Sequence, residues 1–442
     1  MIPELWAHQA RDVETYLQND AVFNLSDPGT GKTRVCIEVI RRLKIPTLIL
    51  APKSILQCAW GDDIEKYAPE IRYSVATAEN RAYAFMKPTL VKITNIDAAK
   101  WLGENPQYLK QFEGGFLIID ESTSLKNYKS LRTRAVTKFA PMFKKKTLMS
   151  GTPNPQGVID LWSQVFILDG GQRLGKSHYK FQMLTYDQKR IGQFTKWVEK
   201  PGIADAVAGI IADLTVRNKR EDCMDLPENL QTMRYVDLAP KQQKQYVKLK
   251  KEAALALEDG DVTAINAAAL LTKLLQLTSG AVYTETGEYL PVHTDRYELV
   301  MDLVEERQAC VVAFNWRHQR EALMREAENR GLPAAFIDGS VSQDKRTKAV
   351  HDFQDGKLRV IFLHPASAAH GITLTRGEAT IWASPTYNAE HFAQLNARIY
   401  RGGQTKRTET ILICARHTVE EDAYAALFNK TTNLENLLEI LS

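Results

Sequence analysis

The sequence predicts an α/β protein with two successive parallel sheets, each with helices on both faces. Short apolar segments rich in β-forming residues alternate with longer amphipathic segments from end to end, as strands and helices alternate in doubly wound sheets. This rhythm occurs twice, and 442 residues are too many for one ordinary core. The break lies near REDCMDLPENLQ, so we predict two tandem domains, 1–225 and 226–442.

The predicted strands are apolar runs that end at a polar or small residue. In the first half they are TLILAP, TLVKITN, GFLIIDE and KTLMSGTP, and in the second half ACVVAFN, AAFIDGS, LRVIFLHP, ATIWASP and TETILICA. Near-continuous apolar runs of this length indicate parallel strands that are covered on both faces.

Two segments interrupt the alternation of strands and helices. Residues 170–200 are polar, aromatic and basic, and we predict a small helical insertion in the first domain. Residues 240–279 have the pattern of two helices, each followed by a glycine where helices commonly end.

The composition excludes several classes of protein. Hydrophobic residues make up 44% and charged residues 25%, which are globular averages and exclude disordered and collagen-like chains. No apolar run reaches the ~18 residues of a membrane span, so we expect a cytoplasmic protein with no membrane partner. The five cysteines are far apart without a C-x-x-C pair, which predicts a reducing compartment and no structural metal. A net charge of +4 does not by itself indicate nucleic acid.

The segment FNLSDPGTGKTRV has the pattern of a phosphate-binding loop, G-x-x-x-x-G-K-S/T, except that Ser26 replaces the first glycine. Gly29 and Gly31 would let the backbone approach a phosphate, Lys32 would supply a point charge, and Thr33 would bind magnesium. The loop follows the apolar run AVFNL and precedes the helical pattern RVCIEVIRRL, which is the context that this chemistry requires. The ATP-binding residues predicted here are Pro28, Gly29, Thr30, Gly31, Lys32 and Thr33.

Two carboxylates follow the predicted strand in GFLIIDEST, namely Asp120 and Glu121. Open α/β sheets bind ligands at the carboxyl ends of their strands. We predict that Asp120 holds Mg²⁺ together with Thr33, and that Glu121 polarises the attacking water. An isolated Asp-Glu pair is also common as an acidic turn, but its position after four apolar residues and downstream of the loop favours the catalytic interpretation.

These segments resemble the motifs of superfamily-two helicases, in the expected order. SDPGTGKT, IIDEST and LMSGTP are similar to motifs I, II and III, and LWAHQ, with Gln9, is similar to the glutamine motif that reads adenine. In the second domain HPASAAHGITLT resembles motif V and AQLNARIYRGGQTKR resembles motif VI. The resemblance implies two tandem RecA-like lobes that use ATP and Mg²⁺.

The resemblance also assigns roles in the second domain. Motif VI carries over as Gln394, which would bind ATP, and as Arg398 and Arg401, whose planar cations would neutralise charge on the γ-phosphoryl group. Hydrolysis would then depend on the two lobes closing. The residues implied to couple turnover to movement are Ser150, Gly151, Thr152 and Gly371.

Narrower signatures resemble the Swi/Snf-type translocases. They are SLKN after motif II, PKSILQCAWGDDIEKY, VRNKREDCMDLP at the domain junction and FIDGSVSQDKRTKAVHDF, and the matches run from Gln9 to about Ile413. This resemblance implies an ATP-dependent translocase on double-stranded DNA, forked or branched DNA included. The implied DNA-contacting residues are Lys53, Thr94, Asn95 and Asn315, and such contacts would be to phosphates.

Three departures from the family pattern, at Ser26, Ala397 and the pair Ser122 and Thr123, remove no charge or ligand. They concern the coupling of ATP turnover to movement instead, because the end of motif II communicates with motif III in such enzymes. Two alternatives stay open, a helicase that separates DNA or RNA strands and a nucleotide-gated DNA clamp that does not cycle. The early start of the motifs suggests a minimal bacterial or phage form, which would act in a bacterial cell or an infected host and be targeted by a partner.

Overall fold

The computed structural model describes residues 2–154, 157–191, 194–223, 226–258, 264–284, 286–292, 295–368 and 372–440. The chain divides into two compact units, Met1–Asp225 with Lys430–Ser442, and Leu226–Asn429. The second predicted domain was 226–442, so the grouping differs for residues 430–442, which fall with the first unit.

The first unit contains one large sheet and one separate hairpin. The strands of this unit are β1 (Ala21–Asn24), β2 (Thr47–Ala51), β3 (Tyr73–Ala76), β4 (Val91–Asn95), β5 (Phe116–Asp120), β6 (Lys145–Met149), β7 (Tyr186–Ile191), β8 (Phe194–Glu199) and β9 (Thr215–Val216). Seven of them form a parallel sheet in the order β3-β4-β2-β5-β6-β1-β9, while β7 and β8 form a separate antiparallel hairpin. Its helices are α1 (Ala7–Gln18), α2 (Lys32–Leu43), α3 (Asp62–Tyr67), α4 (Arg81–Met86), α5 (Ala98–Glu104), α6 (Leu131–Phe139), α7 (Leu161–Asp169), α8 (His178–Thr185), α9 (Ile203–Ile211) and α10 (Arg220–Cys223).

The second unit repeats this plan. Its strands are β10 (Asn229–Val236), β11 (Ala281–Tyr283), β12 (Tyr289–Pro291), β13 (Cys310–Ala313), β14 (Ala334–Ile337), β15 (Val360–Leu363), β16 (Ala379–Trp382) and β17 (Thr408–Ala415). Six form a parallel sheet in the order β10-β17-β16-β13-β15-β14, and β11 pairs with β12. The helices that follow Asp225 are α11 (Pro240–Glu258), α12 (Ala264–Thr278), α13 (Asp295–Glu305), α14 (Arg317–Asn329), α15 (Gln343–Gln354), α16 (Pro365–Ala368), α17 (Ala389–Asn396) and α18 (Val419–Ile440).

Apolar side chains fill both faces of each large sheet. On β5, Leu117 belongs to a core covered by α5, α6 and α7, and Phe116 belongs to a core covered by α1, α2 and α3. On β13, Val311 and Val312 divide in the same way between two cores. Full burial of one such side chain contributes about 1.5–3 kcal/mol, so the most apolar runs specify strands inside their sheet, whereas β14, at the edge of the second sheet, is only partly buried. The predicted fold class, two parallel sheets covered by helices, is confirmed.

The nine predicted strands and the helical pair are confirmed, but the predicted insertion was wrong in part. Residues 170–200 are helical only in α8 and continue as the β7–β8 hairpin. Exposed polar side chains from Asp187 to Arg190 conceal the strand, because a hairpin that contacts the core only through residues such as Tyr186 and Trp197 does not need an apolar run. Among the described residues, none of the helices combines the length and apolar character needed to cross a membrane.

Candidate nucleotide site

The phosphate loop connects the buried strand β1 to helix α2 and depends on two glycines. Gly29 and Gly31 have φ of 92° and 87°, in the left-handed region that other residues rarely adopt. A Cβ atom on Gly31 would lie 2.2 Å from Nε2 of Gln9. A larger residue next to Lys32 would therefore be strained by the backbone and would displace the Gln9 amide, whereas glycine lets the backbone approach a phosphate closely.

Lys32 begins α2 and points back over the loop. Its Nζ donates to the carbonyl oxygens of Ser26 (2.6 Å) and Asp27 (3.1 Å). Burial lowers the pKa of Lys32, against the opposing attraction of the Glu121, Asp120 and Asp27 carboxylates. The predicted phosphate-binding cation and the predicted catalytic carboxylates thus lie within electrostatic reach of one another in the first unit.

The glutamine motif lies against the phosphate loop. Nε2 of Gln9 donates to the carbonyl of Thr30 (3.2 Å), while its Oε1 accepts from the backbone of Trp6 (3.1 Å). Nε2 of His8 lies 2.8 Å from the same Thr30 carbonyl. These bonds place Gln9 at the nucleotide site from a segment more than twenty residues away, and adenine recognition by Gln9 stays a prediction.

Asp120, at the end of β5, is held by two donors. Nε1 of the buried Trp60 donates to Oδ2 (3.0 Å), and the backbone of Glu121 donates to Oδ1 (3.0 Å). Burial raises the pKa of Asp120, although the bond from Trp60 and the charge of Lys32 oppose this rise. Trp60 is a positioning residue that the sequence pattern included without indicating its partner.

Glu121 has a strained backbone. Its φ of 54° and ψ of 57° lie in the left-handed region, which is uncommon for a residue with a side chain. Such strain costs on the order of 1–3 kcal/mol and clusters at functional sites. The strain therefore lies at the residue that the motif pattern predicts as the catalytic base.

The end of motif II is bonded directly to motif III. Oγ1 of Thr123 lies 2.7 Å from Oγ of Ser150 and donates to the carbonyl of Thr152 (2.9 Å). Ser150 Oγ in turn accepts from the backbone of Thr152 (3.1 Å). A Cβ on Gly151 would lie 3.0 Å from Cδ of Pro28, so motif III also packs on the phosphate loop. Thr123, which departs from the family pattern, connects the two motifs.

In the second unit the two motif VI arginines are brought together. Nη1 of Arg398 and Nη1 of Arg401 each donate to the carbonyl of Ile372 (3.4 Å in both cases). Gln394 donates to Oε1 of Glu390 (3.3 Å). Gly371, the residue next to Ile372, lies outside the described residues.

Gln404 is a further buried residue of motif VI to which the sequence prediction gave no role. Its Nε2 lies within hydrogen-bonding distance of the carbonyls of Thr375 (3.0 Å), Gly377 (3.1 Å) and Ile399 (3.1 Å). The glutamine therefore fixes the turn after Arg401 to the segment that precedes β16.

The predicted DNA contacts differ in how accessible they are. Lys53 is exposed and Asn95 is half-buried, and both lie at the carboxyl edge of the first sheet, where Ala51 pairs with Asn95. The prediction for Thr94 was wrong for its side chain, which is fully buried and donates to the carbonyl of Ala76 (2.9 Å). Asn315 uses its amide to bind Ser384 and Pro385 within the second unit.

The residues present fit the predicted magnesium ion. A threonine hydroxyl and a carboxylate are hard oxygen ligands of the kind that Mg²⁺ prefers beside nucleotide phosphates. Thr33 is the second residue of α2, and Asp120 is a buried carboxylate whose pKa is raised by burial. A divalent cation would supply the positive charge that such a buried carboxylate lacks.

We expect Asp120→Asn to raise the melting temperature of the nucleotide-free protein at neutral pH. Because the folded-state pKa is raised, the stability that Asp120 contributes is fully present below the ordinary aspartate pKa and is lost as the pH rises through the raised one. Asparagine carries no charge and its one oxygen can accept from Trp60, while the N–H of Glu121 loses its acceptor. Thermal unfolding should show a gain above the raised pKa that shrinks as the pH falls towards the ordinary aspartate pKa.

The matched control for this substitution is Asp97→Asn. Asp97 is an exposed carboxylate paired with Arg132 at 2.9 Å, and its replacement should change the unfolding free energy by no more than about 0.5 kcal/mol. A lower melting temperature for Asp120→Asn at neutral pH would contradict the assignment of an uncompensated buried charge.

Residues 13–280 match the SNF2-related domain family, and residues 295–403 match the helicase conserved C-terminal domain family. Protein p41 of Acyrthosiphon pisum secondary endosymbiont phage 1 is 28% identical over 436 residues, covering 93% of this chain and 92% of p41. The chromodomain-helicase-DNA-binding protein 1-like of Mus musculus is 22% identical over 441 residues, covering 94% of this chain. This chain spans only 47% of the mouse protein. Among solved structures, the Sulfolobus solfataricus SWI2/SNF2 ATPase core in complex with dsDNA aligns over 100% of this chain and 97% of that chain, with 20% identity and a TM-score of 0.47.

Proposed function

The chain belongs to the SNF2-related family of helicase-type ATPases, and from this membership we propose that it hydrolyses ATP in order to move along double-stranded DNA. The observation that carries the proposal is the site in the first unit, where Lys32 of the phosphate loop lies within electrostatic reach of Asp120 and Glu121. Support for DNA as the track comes from the motif resemblance and from the mouse relative, whose name describes a DNA-binding helicase. Such a protein would act in the cytoplasm of a bacterial cell, where both DNA and ATP are present.

In the proposed reaction, Lys32 and the first amides of α2 bind the β- and γ-phosphates. Thr33 and Asp120 would hold Mg²⁺, which when bound neutralises phosphate charge. Glu121, whose backbone is strained, orients the attacking water and accepts its proton. The first unit is therefore proposed to bind the phosphates and Mg²⁺, to position the attacking water and to accept its proton.

The second unit is proposed to supply the cations that stabilise the transition state. Arg398 and Arg401 share the carbonyl of Ile372, so their guanidinium groups are held close together. A guanidinium donates two parallel hydrogen bonds to phosphoryl oxygens, which a lysine cannot do. ATP turnover would therefore require residues from both units of the protein.

We expect Thr123→Val to lower the ATP turnover number about tenfold, a loss of about 1.4 kcal/mol in transition-state stabilisation. Valine keeps the shape of threonine, but Ser150 Oγ and the Thr152 carbonyl lose a buried partner, which should cost about 1–3 kcal/mol of unfolding free energy. Nucleotide affinity should stay within about twofold, because the phosphate loop is intact. Steady-state ATPase measurements and urea unfolding test both effects.

Thr133→Val is a closely matched control in the same unit. Thr133 is also buried, its Oγ1 lies 2.8 Å from Ser130 Oγ, and it donates to the carbonyl of Leu125 (3.2 Å). It should lose comparable stability and keep wild-type turnover. If both variants lost turnover equally, the bond between motifs II and III would have no specific role in coupling.

DNA is proposed to contact the carboxyl edge of the first sheet through Lys53 and Asn95. Contacts of a lysine and an amide to phosphates would make the affinity depend steeply on salt and little on sequence. Asn315 is proposed to fix the end of β13 beside β16 in the second unit, because its amide is already bonded to Ser384 and Pro385.

The proposed function is tested by ATPase stimulation across single-stranded DNA, linear duplex, forked duplex, four-way junctions and RNA. We expect duplex-containing DNA to stimulate turnover strongly, and RNA and single strands to stimulate it weakly. Greatest stimulation by single strands or RNA, together with opening of a forked duplex, would favour a strand-separating helicase. Turnover that no nucleic acid stimulates would favour a nucleotide-gated clamp.

A further inference from the structure

Ser26 occupies the position where the general phosphate-loop pattern has glycine, and its hydroxyl oxygen accepts two hydrogen bonds. The side chain is buried, and Oγ accepts from the backbone N–H of Asn218 (3.0 Å) and from its Nδ2 (3.1 Å). Nδ2 of Asn218 also donates to Oδ2 of Asp12 in α1 (2.8 Å). A glycine at position 26 would leave the buried Asn218 N–H without this acceptor.

The next two loop residues are fastened to the same segment. The carboxylate of Asp27 accepts from Nη1 of Arg217 (2.6 Å) and from the backbone N–H of Arg220 (2.9 Å). Pro28 accepts from Nε of Arg220 through its carbonyl (3.1 Å). Although burial opposes ionisation of Asp27, the Arg217 cation and the Arg220 N–H lower its pKa. Three successive loop residues thus bind residues 217–220, which we call the exit segment.

The exit segment continues the edge of the first sheet and leads towards the second unit. Strand β9 pairs in parallel with β1, and the pairing extends through the bonds from Leu25 N to Val216 O (2.8 Å) and from Asp27 N to Asn218 O (3.1 Å). The second unit begins at Leu226, six residues after Arg220. Any shift of the loop backbone is therefore applied to the segment that leads into α10, shortly before the second unit begins.

Lys32 bonds to the same two residues that hold the exit segment. Its Nζ donates to the carbonyls of Ser26 and Asp27, whose side chains bind Asn218 and Arg217. An ammonium group has three N–H donors. If β- and γ-phosphates take two of them, at least one of these carbonyls must lose its lysine.

We propose that Ser26 is a positioning residue that reports occupancy of the phosphate loop to the exit segment through its bonds to Asn218. When phosphates recruit Lys32, the Ser26–Asp27 peptide turns to find new partners, and the bonds to Asn218 and Arg220 weaken. The weakened bonds change the exit segment, and this change is passed along the chain from the first unit towards the second. This inference rests on the proposed binding of nucleotide by the loop and does not require DNA.

The test is hydrogen exchange of the exit-segment amides in the full chain, with and without a saturating concentration of the non-hydrolysed analogue AMP-PNP and Mg²⁺. We expect the analogue to speed exchange of the Asn218 and Arg220 amides about threefold or more, because their acceptors move. In Ser26→Ala the Asn218 amide, which has lost its acceptor, should exchange fast in both states and respond less than about 1.5-fold, whereas the Arg220 amide keeps its Asp27 acceptor. Ser26→Thr keeps the hydroxyl and should retain the response.

Ser74→Ala is the matched control, because Ser74 is also buried in the first unit and donates to the carbonyl of Ala84 (2.9 Å). It should keep the wild-type response. If Ser26→Ala does not fold, Asn218→Ala removes the Nδ2 bonds to Ser26 and Asp12, leaves the backbone bond to Ser26, and should speed exchange of the amide at position 218 in both states and reduce its response to AMP-PNP.

The proposal would be overturned if bound AMP-PNP did not change hydrogen exchange of the exit segment in the wild-type protein. It would also be overturned if the Asn218 amide of Ser26→Ala showed the full wild-type change in exchange. Binding of the analogue is measured separately by calorimetry, and its absence would also overturn the proposal because the loop would not take nucleotide. Failure of duplex DNA to stimulate turnover would contradict the proposed function and leave this result unchanged.

Discussion

Glu121→Gln is expected to lower the ATP turnover number by about 10²–10⁴, the usual contribution of a general base. Glutamine can adopt the same backbone and keeps the size of the side chain, but it cannot accept the proton of the attacking water. The Michaelis constant and the affinity for a fluorescent ATP analogue should change by less than about threefold, because Lys32 and Asp120 are untouched. Steady-state turnover and equilibrium binding together separate the two effects.

A suitable control is Glu113→Gln, which removes an exposed carboxylate from the same unit. It should leave both turnover and affinity at wild-type values. Wild-type turnover in Glu121→Gln would show that the strained residue is not the base, and the catalytic role of motif II would have to be reassigned.

Arg401→Ala is expected to reduce turnover by about 10³ or more, the range observed when an arginine that stabilises phosphoryl transfer is missing. Arg401→Lys should recover little of this loss, because an ammonium group cannot donate the paired bonds of a guanidinium. Arg401 is the better test than Arg398, because Arg398 is buried and its removal would also disturb the fold. Turnover at saturating ATP and duplex DNA is the measurement.

Arg407→Ala is the control for charge in the same region. Arg407 is 77% exposed, and its ion pair with Glu228 is long, at 4.0 Å. We expect less than a twofold change in turnover, since exposed pairs of this kind contribute about 0–1 kcal/mol. Equal losses in Arg401→Ala and Arg407→Ala would mean that general positive charge, rather than a specific arginine, supports hydrolysis.

The parallel strands could be predicted because each is a short apolar run buried on both faces. The same criterion missed β10, whose residues are only partly buried, and it concealed the β7–β8 hairpin behind exposed polar residues. Burial on both faces also explains the error at Thr94. The first four residues of β4 are all buried, Thr94 included, whereas Asn95 is half-buried because the strand ends there at the edge of the sheet.

The phosphate loop and the carboxylate pair could be predicted because each lies within one short segment. The contacts that hold them could not, because the partners are distant in sequence. Trp60 and Asp120 are 60 positions apart, and Ser26 and Asn218 are 192 positions apart. A buried hydroxyl or indole has no local pattern that indicates its hydrogen-bond partner, so the sequence marks Ser26 only as a departure from the loop pattern.

The most direct test of ATP-driven movement along duplex DNA is displacement of a triplex-forming third strand from a linear duplex. We expect displacement that requires ATP and is abolished in Glu121→Gln, with a forked duplex left unopened under the same conditions. A motor that tracks the duplex removes the third strand without separating the two strands beneath it. A forked duplex that is opened while the triplex stays intact would contradict the account.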